Sequence, residues 1–349
     1  MVNFLSDKLL EVKNLEVQFK SGTIVTKAVN DVSFSLGRKE NIGIVGESGS
    51  GKSVTASSIL QLIPSPPGEI SKGEIIYEGT NLIDKNEQYM RKIRGNEISM
   101  IFQDASTSLN PVFTVGNQII EAIRTHQKIS KKDAKEKALE MLSLVGIPAP
   151  EKRISMYPHE LSGGMKQRIM IAIALSSNPN LLIADEPTTA LDVTIQAQML
   201  DLMKSLQEEI GMSIIMITHD LGVVWETCQK IIVMYAGKVM ESGDVKEIFN
   251  NPLHPYTWGL LDSQITSKQN NDKPLSTIPG NPPDLSFELQ GCPFAKRCPY
   301  AQDKCFTDIP PLEATQGTHK VSCHFQAPEP SLKRMLKERS YNGSDITNR

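Results

Sequence analysis

Eight consecutive residues, Gly46-Glu47-Ser48-Gly49-Ser50-Gly51-Lys52-Ser53, fit the pattern G-x-x-x-x-G-K-[ST] without a mismatch. The residue types suit one task, holding a chain of phosphates. Glycines let the backbone close around the anion where a side chain would block the approach. The loop N–H groups and the N-terminus of a following helix supply positive potential. Lys52 is in place to reach the β- and γ-phosphates, and the Ser53 hydroxyl to bind Mg²⁺. Asp185 and Glu186 close the apolar run Leu181-Leu182-Ile183-Ala184. An acid at the carboxyl end of a buried strand, in a chain with a phosphate loop, suits a Mg²⁺ ligand, and its neighbour Glu186 is a candidate base for an attacking water. His219 ends another apolar run and is expected at the γ-phosphate. Gln103 ends Ile98-Ser99-Met100-Ile101-Phe102. Ser162-Gly163-Gly164 opens a helix and makes a second anion site by the same dipole argument, though Ser and Gly are also ordinary cap and turn residues.

These groups need strands to deliver them. Asn41–Val45 precedes the phosphate loop and reads as a buried parallel strand, and residues 54–63 as the helix behind it, stopped by Pro64. Strands over 98–102, 181–185 and 213–218 alternate with helices over 115–125, 130–145, 169–175 and 196–210. That alternation predicts a parallel sheet with right-handed crossovers and ligands at the carboxyl ends of its strands. Residues 9–19 and 23–36 alternate around Lys20-Ser21-Gly22 and predict antiparallel strands, with a further strand over 73–77 and a hairpin at Ala236-Gly237. Phe19 lies shortly before the loop. It is an adenine-stacking candidate, although spacing alone fits a buried strand residue better.

The bulk properties exclude several classes. With 349 residues the chain holds about two domains. A net charge of −3 lacks the basic excess of a nucleic-acid binder, so no nucleic acid is expected as partner. No apolar run approaches the roughly 18 residues that cross a bilayer, and residues 1–10 do not form a signal peptide, which predicts a cytoplasmic protein. Four of the five cysteines fall at Cys292, Cys298, Cys305 and Cys323. In a reducing compartment such a cluster points to metal before disulfides. Cys228 stands apart and is expected as a buried thiol. Residues 267–273 read as a linker, and 328–349 as a charged tail.

Taken in order, these motifs resemble the ATP-binding subunits of ABC transporters. The phosphate loop, Gln103, the signature Leu161-Ser-Gly-Gly-Met-Lys-Gln167, Leu181–Glu186, Thr189-Ala190-Leu191-Asp192 and His219 each match a family element. Met165 departs from the usual glutamine but spares the serine and both glycines. Asn110-Pro111, Ile278-Pro-Gly-Asn-Pro-Pro283 and the Cys292-Pro-Phe…Cys298-Pro arrangement resemble the oligopeptide/dipeptide importer branch. The resemblance implies an α/β fold, an ABC-type nucleotide-binding domain over 1–265. It would have a mostly parallel core, an antiparallel β subdomain and a helical subdomain at about 104–160, followed by a Pro/Cys-rich extension over 266–327.

It further implies an ATPase binding ATP and Mg²⁺ through Ser53, Gln103 and Asp185, with Glu186, His219 and Gln103 as its catalytic set. A second ATP-binding subunit would pair head to tail, so that Ser162, Gly163, Gly164 and Asp192 act across the interface. Two transmembrane permease subunits and an extracellular solute-binding protein would complete the complex at the cytoplasmic face of the membrane. Nickel or another small solute, and a non-transport ABC ATPase, stand as alternatives. The thiols are separated by five, six and seventeen residues. They lack the tight C-x-x-C pairs of zinc ribbons, yet four of them form the full ligand set of a [4Fe–4S] cluster, which related importer subunits carry. Zinc, with His319 or His324 as a substitute ligand, disulfides and free thiols remain open.

Overall fold

The computed structural model describes residues 8–103, 108–188, 193–263, 277–315 and 317–326. Two sheets organise it. The first is antiparallel, in the order β2-β1-β4-β5, built from β1 (Lys8–Ser21), β2 (Ile24–Gly37), β4 (Gly68–Tyr77) and β5 (Thr80–Asn81). The alternation of residues 9–19 places Leu10, Val12, Leu15 and Val17 in a core shared with Ile42, Ile44 and Ile59. β4 begins earlier than the strand predicted over 73–77, because its first residues pair with the far end of β1 (Phe19 opposite Gly68).

The second sheet carries the chemistry. Its order is β11-β12-β10-β9-β3-β8-β7-β6. β3 (Asn41–Val45), β6 (Ile98–Ile101), β7 (Leu181–Asp185), β8 (Ser213–Ile217) and β9 (Lys230–Tyr235) run parallel. Every residue of β3, β7 and β8 is buried, as expected for strands covered on both faces. β10 (Lys238–Asp244) returns antiparallel to β9 through the predicted hairpin.

Behind the phosphate loop the helix runs Lys52–Ile59, starting two residues before and ending four before the stretch read from the sequence. Gly51 at φ 99° sets its start, and Gln61 at φ 50° turns the chain away after it. Helices Val115–His126 and Lys131–Leu144 pack on the signature helix Gly163–Leu175 through Ile119, Ile123, Ala138 and Leu142. Thr114 and Ser130 cap the first two, each accepting a backbone N–H three residues on. Met199, Met203 and Leu206 of the helix Val193–Ile210 are core residues, as their spacing predicts.

The extension does not stand apart. β11 (Glu313–Ala314) and β12 (Lys320–Val321) extend the main sheet beyond β10. Phe294, 2% exposed, belongs to the main core and meets Tyr235 and Tyr256 at ring-centroid distances of 5.4 and 5.3 Å. The predicted linker, the charged tail and the Thr189–Asp192 segment lie outside the described residues.

Candidate functional site

The predicted groups meet at the carboxyl edge of the parallel strands, because each follows one of them directly. β3 runs into the phosphate loop, whose glycines are required by geometry. A Cβ on Gly46 (φ 149°) would lie 2.1 Å from the Met234 carbonyl oxygen, and one on Gly51 (φ 99°) 2.5 Å from that of Ala28. Lys52 is 6% exposed, and its Nζ donates to the carbonyls of Gly46 (2.7 Å) and Glu47 (3.0 Å). Burial lowers its pKa, opposed by the fields of Glu186, Asp185 and Glu47.

β7 delivers the two acids. The Ser53 hydroxyl donates to Asp185 Oδ1 at 3.0 Å, so the oxygens expected to hold Mg²⁺ are adjacent. Burial raises the Asp185 pKa, Ser53 and Lys52 counter it, and neighbouring Glu186 adds to the rise. Glu186 stands at φ 47°, in the left-handed region that non-glycine residues seldom occupy. Its N–H donates to the Ile217 carbonyl at 2.9 Å, which holds it there. One carboxylate oxygen accepts from Gln103 Nε2 at 2.9 Å, and the other lies 3.7 Å from His219 Nδ1. Three residues from three strand ends thus surround one point.

The remaining predicted residues lie elsewhere. Phe19 is half-buried at the end of β1, against Gly68. Ser162 caps the signature helix and accepts the Met165 N–H at 3.4 Å, and it is exposed along with Gly163. No hydrogen bond among the described residues ties this cap to the phosphate loop. Gln167, which sequence reasoning left without a role, anchors the helix by donating to the Pro187 carbonyl at 2.5 Å. Also unforeseen are Tyr256, whose hydroxyl accepts the Glu47 N–H at 2.9 Å, and Arg297, paired with the Glu47 carboxylate. Their partners are too far away in sequence for any local pattern to reveal them.

Cys292, Cys298, Cys305 and Cys323 line one small, mostly apolar cavity with Phe294, Tyr300 and His324, and none is in a disulfide. Burial pushes the Cys292 thiol up to about 11 and Cys298 to about 12. Among the described residues, however, no group of three or more His, Cys, Asp or Glu side chains is arranged to hold a metal ion. The metal reading of the cluster therefore rests on the shared cavity and on sulfur chemistry, not on a preformed ligand cage. Of the two histidines considered as substitute ligands, His324 lines the cavity and its Nε2 donates to the Asp308 carbonyl, whereas His319 is hydrogen-bonded to Glu241. Cys228 is buried, as expected, with its thiol pushed up to about 11.

A strand–loop–helix phosphate site with an acid pair at the end of a second parallel strand, one strand removed in the sheet, defines a P-loop nucleotide hydrolase. Residues 29–189 match the ABC transporter family, and 240–305 the family described as oligopeptide/dipeptide transporter, C-terminal region. The chain is 53% identical to the oligopeptide transport ATP-binding protein OppD of Bacillus subtilis, over 92% of its length and 90% of the relative's. It is 52% identical to the dipeptide transport ATP-binding protein DppD of Lactococcus lactis, over 90% and 89%. Among solved structures, the ATP-binding cassette MJ0796 bound to ADP and Pi superposes with a TM-score of 0.61 at 29% identity. That match covers 68% of this chain and 98% of the other. The chain belongs to the ABC transporter ATP-binding proteins, in the oligopeptide/dipeptide branch, and is an ABC-type ATPase.

Proposed function

We propose that this protein is the ATP-hydrolysing subunit of an importer for oligopeptides or dipeptides, bound peripherally at the cytoplasmic face of the membrane. It pairs head to tail with a second ATP-binding subunit. The pair drives two transmembrane permease subunits, supplied by an extracellular solute-binding protein. The observation that carries this reading is a site and a half. Phosphate loop, Asp185, Glu186, Gln103 and His219 converge on one edge, while the second anion-binding helix end, Ser162-Gly163-Gly164, is exposed and untied to it. Two such chains facing each other supply each nucleotide with both halves, so ATP closes the pair and hydrolysis opens it. Apolar residues exposed beside Gln103 and in the following loop (Phe102 at 46%, Val112 at 71%, Phe113 at 48%) suit docking to the permease. No described helix is long and apolar enough to cross a membrane.

Within the site, N–H groups of the loop between Ser48 and Ser53 and the Lys52 ammonium hold the phosphates, and Phe19 supplies a face for the adenine. Ser53 and Asp185, with Gln103 nearby, are hard oxygen donors suited to Mg²⁺, which supplies neutralisation of the β- and γ-phosphate oxygens. Glu186 accepts the proton of the attacking water, and His219 contacts the γ-phosphate. Asp192 contributes from the interface loop. The cavity lined by the four cysteines takes a [4Fe–4S] cluster, its role structural.

Two measurements test these assignments. In the assembled complex, Ser162→Arg should leave a photoactivatable ATP analogue bound to this chain's own loop and stop hydrolysis at the partner's site. Loss of labelling on this chain would overturn the head-to-tail arrangement. Anaerobically purified protein should contain about four iron and four sulfide per chain, whereas stoichiometric zinc without iron would replace the cluster by zinc.

A further inference from the structure

The Pro/Cys-rich extension reaches the phosphate loop through one side chain. Arg297 closes the short turn Ala295–Arg297, between Cys292 and Cys298, and its side chain is 5% exposed. Its two terminal nitrogens donate to both oxygens of Glu47, at 2.5 and 3.0 Å. Their remaining hydrogens go to the Tyr235 hydroxyl (3.1 Å) and the Ile278 carbonyl (3.1 Å), and Nε donates to the Pro279 carbonyl (2.9 Å). All five N–H groups of the guanidinium are used, which fixes the fork rigidly. Tyr256 accepts the Glu47 backbone N–H, its ring tilted against that of Tyr235 at a centroid distance of 4.6 Å.

Glu47 is an odd residue for its place. It puts a carboxylate on the loop that must hold a polyanion, and its field already acts on Lys52. Left unpaired it would repel the phosphates and hold Lys52 in competition with them. The bidentate guanidinium neutralises that charge and fixes the carboxylate against the extension. We infer that Arg297 is a positioning residue for nucleotide binding, and that through it the cysteine-rich extension sets the ATP affinity of the phosphate loop. The inference rests on the reading of Gly46–Ser53 as the nucleotide site.

The test measures ATP hydrolysis by the assembled complex and binding of a fluorescent ATP analogue to the purified chain. Arg297→Met should raise the KM for ATP about tenfold, with kcat within about twofold, because the loss is one of uniform binding. Adding Glu47→Gln to that variant should recover most of the lost affinity, since the uncompensated charge is then gone. A purely structural Arg297 gives the opposite pattern, with the double variant as weak as Arg297→Met or weaker. That result, or an unchanged KM in Arg297→Met, would overturn the proposal. If Arg297→Met does not fold, the same comparison between Arg297→Lys, which keeps the charge but not the fork, and its Glu47→Gln double decides by the same rule. Lys52→Ala separates the two levels. If it binds the analogue as tightly as the native chain, the nucleotide-site reading itself fails. If it loses binding while the Arg297 variants do not, only the role of Arg297 fails.

Discussion

Replacing Glu186 by glutamine should lower ATP turnover in the assembled complex by at least about 100-fold, the usual contribution of a positioned general base, while leaving ATP binding close to native. Glutamine keeps the shape of the side chain and its contact with Gln103 but cannot take a proton from water. The geometry makes a steric explanation of such a loss unattractive. Glu186 is held by the Ile217 carbonyl at its backbone and by Gln103 at its side chain, neither of which the substitution removes. Lys52→Ala should behave the other way, raising the dissociation constant for ATP, because it deletes the charge assigned above to the phosphates. Single-turnover and equilibrium-binding measurements separate the two outcomes, and native turnover by Glu186→Gln would remove Glu186 from the role.

The largest expected effect on stability lies outside the nucleotide site. Glu241 on β10 is fully buried. It accepts the N–H groups of Leu253 (2.6 Å) and His254 (3.1 Å), and its Oε1 lies 2.7 Å from His319 Nε2. This one carboxylate joins the helix Pro255–Asp262, which His254 caps, to the strand pair of the extension. Glu241→Ala should cost about 3–5 kcal/mol, because it strands three buried polar groups without a partner. Glu241→Gln should cost less, since one acceptor oxygen survives while the new NH₂ faces a donor. Urea unfolding of the purified chain checks both, read as a fall in midpoint at unchanged slope. A midpoint within error of the native value in Glu241→Ala would mean that the network carries no net stability.

The convergence of the phosphate loop, Asp185, Glu186, Gln103 and His219 was legible in the sequence, because each lies at or just past the end of a buried strand. Apolar runs such as Leu181–Ala184 and Ser213–Ile217 marked the strands, and Asp185, Glu186 and His219 sit one to two residues beyond them. Motif and periodicity therefore agreed on the same edge. The helix Pro255–Asp262 escaped notice because Asn-Pro-Leu-His-Pro reads as a loop. In the fold, Pro255 occupies the first turn, where its missing N–H costs nothing, and His254 caps by accepting the Tyr256 N–H. The helix Glu87–Ile93 was missed for another reason. It buries only Met90 and Ile93, too few apolar positions to show a period. What no local pattern could disclose is the union of extension and cassette. Arg297 and Glu47 are 250 positions apart, and Glu241 meets a histidine 78 positions on. Composition marks 266–327 only as a Pro/Cys-rich extension and gives no sign that Phe294 lies in the main core.

The pairing of β12 with β10 also bears on how the chain is made. During synthesis the nucleotide-site strands emerge first, but the free edge of β10 stays open until Lys320 and Val321 have left the ribosome. An unpaired edge is a template for association with other chains, and contacts this distant in sequence form late. The nascent protein therefore carries its whole ATP-binding machinery for some time with an uncapped sheet and a phosphate loop not yet clamped by Arg297. Chains truncated before residue 320 should accumulate as aggregates rather than as a smaller working ATPase.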